Sequence, residues 1–145
     1  MVNAPNAIQG VIVAALIAVV PVLSASPAAA EDITGFTSPS GNIGCMLDSS
    51  YVRCDIQQRD WSPPPRPADC PSFTGYGQGI ALSVGQRPQF VCAGDTAYSN
   101  SAALGYGDSI SAGALSCASA ESGITCRDNR SGHGFMISRQ AYQLF

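Results

Sequence analysis

The sequence predicts a mainly β domain, a small disulfide-stapled antiparallel sheet or barrel-like fold built from hairpins, after an N-terminal signal segment. Three observations carry that expectation. No long amphipathic helical period occurs after residue 30; apolar residues alternate instead in short runs bounded by Gly, Pro, Ser and Asn. All six cysteines lie in that same part of the chain. Two pairs of them, Cys45/Cys54 and Cys117/Cys126, share a separation of nine positions with turn residues between.

The first thirty residues are read as a signal peptide. Val11 to Leu23 is an apolar run of h-region length interrupted by Pro21, and Ala28-Ala29-Ala30 forms an A-x-A-like site before Glu31-Asp32. No Lys or Arg occurs in the first ten residues, so the n-region carries only its α-amino charge. The alternative is an uncleaved anchor, for which the apolar core falls short of the roughly 20 residues that span a bilayer. Residues 31–145 then form a single secreted β-rich domain, long enough for a modest core that covalent staples would reinforce. In an exported chain six cysteines imply three disulfides, with fifteen connectivities open to six thiols.

Composition narrows the partners. The seven basic residues are all Arg, the acidic ones number ten, and the net charge is −3. There is no basic footprint for nucleic acid and no polybasic patch for anionic lipid. Membrane contact is expected only through the N-terminal segment before cleavage. Arg without Lys, with abundant Ala and Gly, is the usage of a GC-rich bacterial genome.

Ser38-Pro39-Ser40-Gly41-Asn42 is turn chemistry leading into the first hairpin. Setting Cys45 opposite Cys54 pairs Ile43 with Ile56 and Leu47 with Val52 on one face. Asn42/Gln57, Gly44/Asp55 and Met46/Arg53 fall on the other, so a one-residue slip would bury the polar set. Setting Cys117 opposite Cys126 places Ser119 across from Ile124, with Ala120-Glu121-Ser122-Gly123 as the connection. The pattern is weaker there, because Leu115 faces Asp128. The two units are either a degenerate internal repeat or a coincidence of spacing.

Between them, Trp61-Ser62-Pro63-Pro64-Pro65-Arg66-Pro67 is extended chain. Its P-x-x-P pattern suits an aromatic groove, but a stiff connector packed on Trp61 is the simpler reading. Gly75-Tyr76-Gly77-Gln78-Gly79 reads as a flexible loop. Ile80, Leu82 and Val84 alternate as a strand, and a five-residue connection would set Val84 against Phe90 and Leu82 against Cys92. Cys70 is left as the partner of Cys92, which completes the set Cys45–Cys54, Cys70–Cys92 and Cys117–Cys126. Asp95 to Gly113 is small and polar, suited to short strands and turns. Phe135 to Arg139 alternates as a last strand, and Gln140 to Phe145 is expected to form one helical turn holding Tyr142 and Phe145 on the core.

His133, the one histidine, lies between Gly132 and Gly134. A lone imidazole titrates near neutrality and serves as acid, base or ligand. A triad needs a hydroxyl and an orienting carboxylate beside it; Ser131, Ser138, Asp95, Asp108 and Asp128 supply the types, and spacing cannot place them. The alternative is an imidazole bonded to a backbone carbonyl in a tight turn. No G-x-S-x-G elbow is present. One His with bridged cysteines cannot ligate zinc or copper, and no D-x-D-x-D-G loop offers a calcium site. Neither a metal nor a cofactor is expected. Asp95-Thr96 reads as an Asx turn.

The series Ser38-Pro39-Ser40-Gly41-Asn42-Ile43-x-Cys45, Arg53-Cys54-Asp55-Ile56, Gly123-Ile124-Thr125-Cys126 and Gly132-His133-Gly134-Phe135-x-Ile137-Ser138-Arg139 resembles a family of small exported actinobacterial, notably mycobacterial, proteins classed as a domain of unknown function. The resemblance covers nearly all of residues 31–145. It implies export and one disulfide-bonded domain, and brings no activity, cofactor or catalytic residue. The expectation is therefore a secreted or cell-envelope, non-catalytic binding module for a protein, glycan or lipid, with His133, Phe135 and Arg139 as the candidate contact set. The alternative is a small secreted hydrolase using His133 with Asp95 or Asp128.

Overall fold

The computed structural model describes residues 32–145, with isolated earlier positions (3, 10, 21, 22 and 24–26). The apolar run Val11 to Leu23 and the Ala28–Ala30 site lie outside that set, apart from the isolated positions. Among the described residues all regular structure is strand. Strands β1 (Thr34–Thr37), β2 (Ile43–Leu47), β3 (Tyr51–Ile56), β4 (Tyr76–Ser83) and β5 (Gln89–Cys92) form one antiparallel meander. A second is formed by β6 (Ser109–Ala112), β7 (Leu115–Ala120), β8 (Gly123–Asp128), β9 (Gly134–Ile137) and β10 (Tyr142–Leu144).

The two sheets face each other strand for strand. The β3 and β8 cysteines meet at the centre, with Cys54 Sγ 3.8 Å from Cys126 Sγ. At one side the Phe90 ring of β5 lies edge-on to Tyr142 of β10, centroids 5.0 Å apart. At the other, Thr37 of β1 bridges Ala103, just ahead of β6. The buried core alternates along every central strand, as a sheet with one face turned inward requires: Ile43, Leu47, Val52, Ile80 and Leu82 from one sheet, Leu115, Ile124, Phe135 and Ile137 from the other.

The three disulfides are Cys45–Cys54, Cys70–Cys92 and Cys117–Cys126. The registers of both cysteine hairpins are those set by the facing cysteines, including Leu115 opposite Asp128. Each such hairpin supplies the second and third strands of its sheet. The equivalence extends into the entry turn, where Gly41-Asn42-Ile43-Gly44-Cys45 matches Gly113-Ala114-Leu115-Ser116-Cys117, both glycines having positive φ (74° and 56°). The shared spacing is thus a degenerate repeat at the level of the fold.

Four expectations are corrected. Tyr76 to Gly79 opens β4, with Gly75 just ahead of it, rather than forming a loop, because its glycines admit close neighbours: a Cβ on Gly77 would lie 2.5 Å from Pro63 Cγ, and one on Gly79 would lie 2.3 Å from Asp55 Oδ1. In the β4–β5 pair, Ile80 stands opposite Phe90 and Tyr76 opposite Cys92, with a bulge between. The turn there is longer than five residues, since pairing begins only at Ala81/Gln89. The slip from Val84 to Ile80 is an even number of residues, so the apolar face is unchanged. The C-terminus forms β10 instead of a helical turn. Ser138 drives that reversal by accepting from Ala141 N at its Oγ (3.1 Å) and donating from its own N to Ala141 O (2.9 Å).

The last correction concerns the polar face of the first hairpin, whose centre (Gly44, Arg53 and Asp55) is buried, while Asn42 and Met46 are half-buried and Gln57 is exposed. With β6 over β1 and β5 at the opposite edge, the connection must traverse the outer face of the first sheet. Residues 94–104 do so. Gly44 and Gly35 leave a trough for them: Cβ atoms there would fall 2.5 Å from the Tyr98 ring and 2.3 Å from Ser99 Oγ. Under this strap Arg53, 4% exposed, donates from Nε and Nη2 to both Asp55 oxygens at 2.8 Å and from Nη1 to Asp95 Oδ1 at 2.7 Å. Asp55 also accepts from Ala97 N at 2.9 Å. Burial works against the Arg53 charge, but the hydrogen bonds to Asp55 and Asp95 outweigh it and raise the guanidinium pKa.

Trp61 holds the β5 and β10 edges together. Its Nε1 donates to Ser138 O at 2.8 Å, and its ring meets Phe90 and Tyr142 edge-on. The proline run that follows Trp61 seats Pro63 on Gly77 of β4.

Candidate functional site

His133 closes the turn between β8 and β9, and the side chain that builds this turn is Asp128. Its Oδ1 accepts from Arg130 N (2.9 Å), while Oδ2 accepts from Ser131 Oγ (2.8 Å) and from Gly85 N (2.8 Å) in the β4–β5 turn of the opposite sheet. Asp128 N donates to His133 O at 2.8 Å, and His133 N donates to Ser131 Oγ at 3.2 Å. Asp128 is therefore a buried clasp between the sheets, which explains a carboxylate opposite Leu115. The three residue types of a triad sit within six positions, in the wrong order. Ser131 gives its proton directly to Asp128, and the imidazole does not stand between them. Among the described residues the ring, half-buried, makes no hydrogen bond or ion pair. Asp95, the other proposed carboxylate, belongs to the strap itself, where its largely exposed side chain is engaged by Arg53 from below.

The bonds from Gly85, Arg130 and Ser131 hold the Asp128 carboxyl down at about 2, with burial opposing them. The unfolded value is about 3.9. The folded pKa lies below the unfolded one, so this clasp contributes stability fully above about pH 4 and loses it as pH falls toward about 2. Asp128→Asn is expected to be less stable at neutral pH and to show a flatter stability profile between those limits. Denaturant midpoints measured across that range check it; a variant tracking the parent at every pH would remove the clasp from the account.

The proposed contact residues are not neighbours. Phe135 is fully buried and fills the core between the sheets. His133 and Arg139 flank opposite ends of β9, six residues apart, or about 20 Å of extended chain. Arg139 belongs to a different feature. At its end of the sandwich the β1–β2, β7–β8 and β9–β10 turns, the residues after β3 and the loop before β6 enclose a polar cleft of about 350 Å³. Its lining includes Asn42, Gln57, Gln58, Tyr106, Glu121 and Arg139. Asn42 braces the rim, donating to Gln58 O (2.9 Å) and accepting from Gln58 N (2.8 Å). Arg139 reaches Gln58 Oε1 (3.4 Å) and Asp60 (3.6 Å). The Gln57, Tyr106 and Glu121 side chains have no protein partner among the described residues, and Tyr106 is 53% exposed.

Of these residues only Arg139 belongs to the contact set expected from the sequence. The others sit in turns separated by up to about eighty positions, and only the stacking of the sheets makes them neighbours. The single available signal is that each falls at a strand end.

A family model described as a family of unknown function, DUF6636, matches residues 15–145. No curated protein and no solved structure matches the chain.

Proposed function

The chain belongs to the DUF6636 family, whose function is unknown, and we propose that it is an exported, non-catalytic binding domain that takes a glycan in the polar cleft at the Arg139 end of the sandwich. Three disulfides are typical of extracellular proteins. The observation that carries the reading is the lining of the cleft: a guanidinium, a carboxylate, planar amides and an exposed tyrosine ring, presented by turns from both sheets. Such a set matches a polyol. Amides, Glu121 and Arg139 answer hydroxyl donors and acceptors, and the Tyr106 ring offers a flat apolar face for sugar C–H groups. Binding groups on turns held by a rigid sandwich are the general arrangement for recognition.

The test is an oligosaccharide array followed by calorimetry on the strongest hit. Gln57→Ala and Arg139→Ala are each expected to weaken that hit about tenfold, the loss of one charge-assisted or well-placed hydrogen bond. His133→Ala, at the other end, should leave binding unchanged. An array with no binding, or affinities indifferent to both cleft substitutions, would sink the reading.

A further inference from the structure

The three disulfides are not equivalent. Cys45, Cys54, Cys117 and Cys126 are enclosed between the sheets, each at most 1% exposed. Cys70–Cys92 lies outside the sandwich. Cys70 is 5% exposed, whereas Cys92, at the end of the edge strand β5, is exposed. Both cysteines line a cleft of about 550 Å³ shared with Pro67, Tyr76, Phe90 and Leu144. A cation stands on the buried sulfur: Arg66 Nη1 is 3.3 Å from Cys70 Sγ. That guanidinium is fixed by the carbonyls of Pro71 (2.7 Å) and Thr74 (3.0 Å) and lies over the Tyr76 ring.

An accessible sulfur, a recessed partner sulfur and a fixed cation on the recessed one are the arrangement of a polarised exchange site. We propose that Cys70–Cys92 is a thiol-exchange site at which a small-molecule thiol attacks Cys92. The attacking thiolate forms a new S–S bond to Cys92 Sγ while the Cys70–Cys92 bond breaks. The electron pair of that bond remains on Cys70 Sγ as a thiolate facing Arg66. A second thiol equivalent resolves the mixed disulfide, giving the oxidised small-molecule disulfide and the Cys92 thiol. Two thiols are oxidised by two electrons in total, and the protein disulfide is reduced by the same two. Opening this bond leaves the stapled core intact, because the other four cysteines are out of reach.

The folded, oxidised full chain is incubated with glutathione, quenched with iodoacetamide and mapped by mass spectrometry. The expected product carries glutathione on Cys92 and the alkyl group on Cys70, with the other four cysteines still paired. Arg66→Gln is expected to slow its formation roughly three- to fivefold, since the leaving thiolate loses its counter-charge. Glutathione on Cys70, core disulfides opening alongside, or an unchanged rate in folded Arg66→Gln each overturns the proposal. Should that variant not fold, the site of attachment in the unaltered chain decides by itself. A failed glycan array leaves this inference untouched, because the two sites share no residue.

Discussion

Arg53→Met is expected to lower the free energy of unfolding by about 3–5 kcal/mol, the cost of stranding a buried charge. Asp55 is 2% exposed, and two of its contacts are the Arg53 nitrogens at 2.8 Å. Truncating the arginine leaves that carboxylate with Ala97 N and the Thr96 hydroxyl alone, in a space closed by the strap. The damage should not stay local. Asp95 is the anchor at which the connection leaves β5, and Tyr98 rests in the Gly44 trough a few residues further on. Arg53→Met/Asp55→Leu, which removes both charges, is expected to recover much of the loss, because apolar replacement of a buried pair is often close to neutral. Urea midpoints for the two single variants and the double variant measure this directly. A single variant within about 1 kcal/mol of the parent would mean that water enters beneath the strap and the network is not closed.

That network also shows where sequence reading stops. Alternation sets Arg53 and Asp55 on the face away from the cysteines, a face that an antiparallel sheet commonly leaves to solvent. What buries it is the route of a segment forty residues later, and no local pattern records that route. The glycines do record it indirectly. Gly35 and Gly44 are poor strand residues unless another backbone or side chain needs their space, and Tyr98 and Ser99 are what occupies it. The same logic applies to Gly77 and Gly79. By contrast the first cysteine hairpin is legible in full, because covalent pairing, register and apolar alternation all point to one answer there, whereas the second rests on its cysteine spacing and its turn.

The candidate site was less legible, for a related reason. Binding residues on turns obey no period, so their grouping follows only from which turns share an end of the sandwich. A strand displaces its two flanks by its own length, and the Gly132–Arg139 stretch was therefore divided: its histidine went to the clasp end and its arginine to the cleft. Asp128 illustrates the converse. Its mismatch with Leu115 weakened the hairpin reading, yet the register holds because the carboxylate finds Gly85 N on the other sheet.

The central contact between the two stapled hairpins leads to a further expected result. Cys45→Ala/Cys54→Ala and Cys117→Ala/Cys126→Ala each open a loop of about 10 residues, a loss of roughly 2.7 kcal/mol if chain entropy dominates. Removing Cys70–Cys92 opens a longer loop, worth about 3.4 kcal/mol on the same basis. These three losses are not expected to combine alike. Cys54 and Cys126 touch at 3.8 Å in the middle of the core, so removing both core bridges merges two voids and lets facing side chains relax together. Their combined cost should depart from the sum by more than about 0.5 kcal/mol, as neighbours in contact do. Cys70–Cys92 lies outside the core cluster, and its loss should add to that of either core bridge within about 0.5 kcal/mol. Denaturation of the three paired variants and their combinations separates these cases. Additivity between the two core bridges would show that they stabilise by chain restriction alone, with the sulfur contact contributing nothing to how the sheets are held together.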